Sequence, residues 1–398
     1  MNEISTTSLM QKILFFGIMV LPFTSLRMSA FGVGELVILF VFAFVFLGNG
    51  CRILLLKPAK PFLFFWIAFL FFSLLGFIYN VFFLGFSSGR EYSFIFDGLS
   101  YLFVFLTIAL FGNAYFYSGH PPYMFLRNIF IGWGVVFSFL YALSFFFSSV
   151  LGLPLRYHDY FSPLVENVHQ AASITCVMPF LLLHLLKDEQ SFLLKFFLFS
   201  LSIAFVFMAI GSGSTKALMG VVVGGGISLV ALLFYRPGEQ HRPAIKFVMV
   251  VFVFFAAFVF VIANFSYFNG FLERFFLEND GGGARAILYR SGFNHAIESF
   301  LVGYGPGSHA PYGPFFSDAH NTLLTVMLQS GFLGLFSFFI LIVVLLYRSA
   351  DNFFLLGALS SALMYIIGGD VMRRLPIWIL LLGISYLAFY CRSSNEGG

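Results

Sequence analysis

The chain has 398 residues, of which 60% are hydrophobic and only 10% charged. A water-soluble chain carries about 25% charged residues, so this composition excludes a soluble enzyme, a nucleic-acid-binding domain and a disordered chain. The net charge of +4 is small and the basic residues are scattered, which implies neither nucleic acid nor another polyanion as partner.

The apolar runs, split at charges, Gly/Pro clusters and polar turns, fall near 13–28, 31–48, 61–83, 98–116, 126–150, 169–186, 191–210, 214–235, 244–265, 319–347, 353–368 and 374–391. At about 20 apolar residues per span, the chain has room for roughly twelve. The fold class is all-α: one polytopic integral membrane domain over 1–398. Continuously apolar runs such as Phe247 to Phe265 rule out the alternation of a β-barrel. The first run lacks a small-residue cleavage site and reads as a retained span. Cys51, Cys176 and Cys391 are far apart and suggest neither disulfides nor a zinc site. The 62 Phe read as lipid-facing and interhelical packing.

Placing the N-terminus in the cytoplasm puts twelve of the 21 Lys and Arg inside, the direction the positive-inside rule favours. The one long extramembrane segment, 264–318 between spans nine and ten, is then periplasmic. It opens with aromatic, amphipathic sequence from Phe265 to Phe276, breaks at Glu278-Asn279-Asp280-Gly281, and continues as a helix from Ala284 to Phe300. The turn-rich Gly303 to Ser308 follows. A loop of this length inside a compact protein is usually functional.

Ionisable residues at membrane depth are expensive and mark sites. Five places on the outer side carry them: the 151–169 loop with Arg156, His158, Asp159, Asn167 and His169; the Gly211 to Lys216 turn; Arg285 with Arg290; His320-Asn321 at the start of the tenth span; and Asp370 with Arg373 and Arg374. Residue types alone leave His320 equally a helix-end residue and a general base. Lys216 and Arg285 alone suit interfacial snorkelling, but beside a histidine they suit binding of a phosphate-bearing leaving group. Gly211 to Lys216 lacks the Gly-Lys-Ser/Thr order of a nucleotide-binding loop. Gly224-Gly225-Gly226, within a span, reads as close helix packing. No Asp-x-Asp pair or ligand-spaced histidines point to a metal.

Four stretches stand out: Arg285-Ala-Ile-Leu-Tyr289, Gly303-Tyr304-Gly305-Pro306-Gly307, Ala319-His320-Asn321-Thr322-Leu323-Leu324 and Gln329-Ser330-Gly331-Phe332-Leu333-Gly334. Together they resemble the O-antigen ligase and polymerase superfamily of bacterial inner membranes. Asn167 to Ala171 and Ser214-Thr215-Lys216-Ala217 resemble two further family segments, with Lys216 where arginine is usual and Tyr289 where tryptophan is common. Asp370 with Arg373 and Arg374 resembles a feature of some ligases. The resemblance implies a periplasmic-face glycosyltransferase in the bacterial inner membrane that uses no cofactor, metal or nucleotide sugar. The donor would be an undecaprenyl-diphosphate-linked glycan and the acceptor lipid A–core. His320 would be the base. Arg285, Lys216, Arg290, Asn321, Arg156, Asp370 and Arg373 would bind substrate. A polymerase joining lipid-linked repeat units is the alternative within the family. A flippase or transporter is the remote one. It should show inverted repeats, broken helices and ionisable residues within spans, and none is read in the sequence.

Overall fold

The computed structural model describes residues 2–28, 31–84, 91–117, 121–165, 168–187, 189–233, 282–312 and 315–396. Among them the helices are α1 (Asn2–Val20), α2 (Val33–Gly48), α3 (Lys60–Tyr79), α4 (Glu91–Gly112), α5 (Pro122–Ser144), α6 (Val168–Lys187), α7 (Phe192–Gly211), α8 (Thr215–Leu233), α9 (Gly282–Glu298), α10 (Thr322–Ser349), α11 (Phe353–Gly368) and α12 (Leu375–Glu396). Helices α3 to α8 and α10 are long and apolar enough to cross a membrane, and α1, α2, α11 and α12 carry shorter apolar stretches. The fold is that of an all-α membrane protein. Eleven of the expected spans have a helical counterpart; the ninth, 244–265, lies outside the described residues, with the first part of the 264–318 segment.

The ends shift for local reasons. The first helix stops at Val20 instead of running to 28, because Pro22 disfavours helical backbone at Leu21. Helix α4 begins at Glu91, seven residues before the apolar run expected at 98, and so takes Asp97 into its second turn. Helix α5 opens on Pro122, where a missing N–H costs nothing. Strands among the described residues are confined to four short antiparallel hairpins. They pair β1 (Arg27–Met28) with β2 (Phe31–Gly32), β3 (Ser149–Val150) with β4 (Leu153–Pro154), β5 (Arg156–Tyr157) with β6 (Tyr160–Phe161), and β7 (Ala310–Tyr312) with β8 (Phe315–Ser317).

The bundle interior holds an aromatic stack from four helices. Trp66 of α3 meets Trp378 of α12 at 4.9 Å and Tyr101 of α4 at 6.0 Å, while Phe65 lies between Trp378 at 5.6 Å and Phe338 of α10 at 5.2 Å. Part of the phenylalanine excess is thus interior packing, and Phe64, Phe71, Phe82 and Phe83 point outward. Helices α8 and α11 pack through small residues. Gly224 approaches the Gly357 carbonyl so closely that a Cβ would come within 2.7 Å of it. Ser228 donates to the Phe353 carbonyl at 3.0 Å. The close packing read from the glycine triplet holds for Gly224, while Gly225 and Gly226 face open space.

Helix α10 is broken. Gly331 has φ 64° and ψ −166° inside it, and the 300–305 loop occupies the gap. Phe332 and Leu333 would normally donate to the carbonyls of Leu328 and Gln329. Instead they donate to Phe300 (2.6 Å) and Leu301 (3.3 Å), and the two freed carbonyls accept from Tyr304 (2.8 Å) and Gly305 (3.1 Å). The Leu328 and Gln329 carbonyls and the Phe332 and Leu333 amides are therefore satisfied, as a low-dielectric setting requires. Unbroken spans without ionisable residues are the expectation from sequence; Gly331 and Asp97 correct it on both counts.

Candidate active site

The site is assembled at the end of the bundle where α4, α8 and α10 begin. Packing of α8 on α11 delivers Lys216, in the first turn of α8, to the end of α11. Its side chain runs along Gly368, and its Nζ lies 3.5 Å from where a Cβ on Gly369 would be. The same Gly369 carbonyl accepts from Thr322 N at 3.0 Å and Thr322 Oγ1 at 2.6 Å, and Thr322 Oγ1 accepts from Val371 N at 3.1 Å. Lys216 and the start of α10 thus meet on one short strip of backbone.

Asn321 caps α10. Its Oδ1 accepts from Leu324 N at 3.0 Å and its Nδ2 donates to the Ile367 carbonyl at 2.8 Å. The cap satisfies an orphan helix amide and also fixes the helix start against α11. His320, just before it, is exposed and has φ 50°. That left-handed conformation is uncommon outside glycine, and such backbone clusters at functional sites.

Helix α9 lies across this entrance. Leu288 and Ala296 form a small second core with Ala310, Ala319, Leu324, Met327 and Leu328, and Gly292 lets Leu324 close in. The hydroxyl of Tyr289, on the adjacent face, donates to the His320 carbonyl at 3.5 Å. Arg285 sits one helical turn before Tyr289; its side chain lies outside the described residues. Arg290 is exposed.

A charged network holds the loop that carries His320. Arg373 Nη1 donates to Asp97 Oδ1 at 2.9 Å, its Nη2 donates to Asp318 Oδ2 at 3.0 Å, and Asp370 lies 3.7 Å away. Asp97 Oδ2 accepts from Gly307 N at 3.2 Å and Gln329 Nε2 at 3.1 Å. The β7–β8 register pairs Ala310 with Ser317, so the next residues outward, His309 and Asp318, face each other and pair at 2.9 Å. The hydrogen bond from His309, with Arg373 beside it, holds Asp318 well below the usual carboxylate range against the opposing effect of burial. Burial would lower Arg373, but Asp97, Asp370 and Asp318 outweigh it and raise its affinity for the proton.

The structure therefore brings His320, Asn321, Lys216, Asp370 and Arg373 to one end, with α9 across it. Arg156 is farther off. It stacks over the Phe145 ring at 5.6 Å, and its hairpin reaches the 211–216 turn through Tyr160, which lies against Gly213. His169 and Asn167 lie outside the described side chains. Sequence reasoning missed Asp97, His309, Asp318 and Gln329. Asp97 was legible as the one acid in the 94–112 apolar stretch, but the expected span started at 98. Arg374 donates to Tyr365 Oη at 3.2 Å. Tyr365 and the Lys216 ammonium both border the space where a Gly369 Cβ would be, so Arg374 is linked to this backbone strip through Tyr365.

No curated protein matches the chain. Residues 198–339 match the family described as O-antigen ligase, a stretch that runs from α7 to the middle of α10 and includes Lys216, Arg285, Arg290, His320, Asn321 and Gly331. This domain, 142 of the 398 residues, together with the apolar helices supports a multi-pass bacterial membrane protein of the O-antigen ligase/polymerase superfamily, whose members are glycosyltransferase-like enzymes that handle lipid-linked glycans.

Proposed function

We propose that the chain is an O-antigen ligase, transferring a glycan from undecaprenyl diphosphate to lipid A–core on the periplasmic face of the inner membrane, without metal. The observation that carries this reading is the exposed His320, held at positive φ between a capped α10 and α9, with Lys216 across the Gly368–Gly369 backbone. His320 takes the proton of the acceptor hydroxyl as its oxygen bonds to the anomeric carbon. The bond from that carbon to the diphosphate oxygen breaks, configuration inverts, and undecaprenyl diphosphate leaves with the electron pair. Diphosphate leaves readily, so the protein's task is charge stabilisation, which falls to Lys216 and Arg285. Asn321 orients His320, Asp370 and Arg373 frame the entrance, and Arg290 and Arg156 flank the path of the glycan.

The test is a lipopolysaccharide gel of a His320→Ala strain beside an extract of its lipid-linked glycans. Loss of a general base costs about 10²–10⁴-fold. Lipid A–core should stay bare while long polymer collects on undecaprenyl diphosphate. A wild-type ladder from well-expressed variant protein would remove His320 from the chemistry. Single repeats attached to lipid A–core would instead indicate a polymerase.

A further inference from the structure

A second site lies at the opposite end of the bundle. A cavity of about 480 Å³ opens there, lined by Lys57, Lys60, Pro61, Val344, Tyr347, Arg348, Ala388 and Phe389. Its walls are of two kinds. Lys57, Lys60 and Arg348 supply three cations and no lining residue is acidic, whereas Val344, Ala388 and Phe389 supply an apolar wall. Arg348 is fixed in place: Nη1 donates to the Pro58 carbonyl at 2.9 Å and to Ser385 Oγ at 2.7 Å, and Nη2 donates to the Lys57 carbonyl at 3.2 Å. Ser385 in turn donates to the same Pro58 carbonyl at 3.0 Å. These bonds tie the start of α3, the last turn of α10 and the middle of α12 around a preformed positive rim. Lys57 and Lys60 flank it.

A cationic rim continuing into an apolar wall selects a ligand with a negative head and a hydrocarbon body. Depth argues the same way. The two halves of α10 together have 28 residues, so even with the break at Gly331 its ends are at most roughly 40 Å apart at 1.5 Å per residue. A kinked element of that length still spans the hydrocarbon core, about 30 Å, and reaches into the headgroup layers on both sides. With His320 at one headgroup layer, the cavity lies at the other. Basic pockets between spans at that level are places where acidic lipids bind.

We propose that this cavity binds an anionic phospholipid, with the phosphate against Lys57, Lys60 and Arg348 and the first acyl carbons along Val344 and Phe389. The lipid would brace α3, α10 and α12 from the side opposite His320. The test uses the purified full-length protein in a neutral detergent, with native mass spectrometry and thermal unfolding as readouts. The ligands are phosphatidylglycerol, phosphatidylethanolamine and inorganic phosphate. Wild type should retain phosphatidylglycerol and unfold at higher temperature with it, and should respond little to the other two. An interfacial lysine contributes about fivefold in affinity, so Lys57→Ala/Lys60→Ala should weaken retention by roughly thirtyfold, and Lys57→Arg/Lys60→Arg should keep it. Equal retention of the two lipids by wild type, an equal response to phosphate alone, or unchanged retention in the alanine variant would each overturn the proposal. The two wild-type comparisons hold whether or not either variant folds.

Discussion

Asp97 and Arg373 join α4 to the link between α11 and α12, and through Gly307 and Gln329 they join both to the loop and α10. Asp97 is 1% exposed and Arg373 34%. Removing Asp97 leaves Arg373 paired with Asp318 and Asp370 but strands the Gly307 amide and Gln329 Nε2. Each buried donor left unsatisfied costs about 1–3 kcal/mol, so Asp97→Ala should destabilise by at least that much. Thermal unfolding in detergent should show that loss, and an unchanged midpoint would contradict it. Asp318 gives the network a pH dependence of known sign. Its carboxyl is held below the ordinary value, so its stabilisation is complete above the usual carboxylate range and is lost as pH falls through the folded value. The stability difference between wild type and Asp318→Asn should therefore be constant near neutrality and shrink only in strong acid. A difference that shrinks on going from neutral to mildly acidic buffer would contradict that assignment. Lys216 needs reach and charge to border Gly369, so Lys216→Arg should retain transfer and Lys216→Ala should lose it in the same gel assay. Failure of the arginine variant alone would mean that the space beside Gly368 and Gly369 admits only the slimmer ammonium.

Helix α10 shows why particular glycines stand in the two glycine-rich stretches. A Cβ on Gly331 would overlap the Leu301 carbonyl, and one on Gly303, at φ 70°, would come within 2.7 Å of the Gln329 and Gly331 backbone. The two stretches are halves of one joint, in which a loop takes over the helix hydrogen bonds that the break releases. Gly331→Ala should lower both stability and transfer, while Gly226→Ala, which meets nothing, should leave both unchanged. Matching unfolding midpoints for the two variants would refute the joint. The spans were legible because apolar runs are local signals; the helix start was placed at His320-Asn321, but the cap is Asn321 and not the histidine. The break was not legible, since the apolar runs on both sides of Gln329 to Gly334 read as one span and only the docked loop makes the alternative satisfactory. Asp97 was hidden by the same limit: hydropathy places a helix end where polarity begins, whereas α4 extends into polar sequence because Gly307, Gln329 and Arg373 satisfy its carboxylate.

A broken helix and a charge within a span are also what a transporter would show, yet in this protein both serve the docked loop. The carboxylate of Asp97 is occupied by three donors, and the gap at Gly331 is filled by backbone. Topology bears on the whole molecule in the same way. Both termini and the 236–246 loop are predicted to be cytoplasmic and 264–318 periplasmic, so single cysteines at Asn279 and Gln240 should differ in spheroplasts treated with an impermeant thiol reagent. Label at 279 alone is the prediction, and label at 240 alone would invert the bundle. The central claim is transfer of a glycan from a lipid diphosphate to lipid A–core by a metal-free site built around His320. It is tested most directly by reconstituting the purified protein in liposomes with undecaprenyl-diphosphate-linked glycan and lipid A–core in the presence of EDTA. Capped lipid A–core should form with wild type and not with His320→Ala. Transfer that EDTA abolishes, or elongation of the lipid-linked glycan with lipid A–core left bare, would contradict the account.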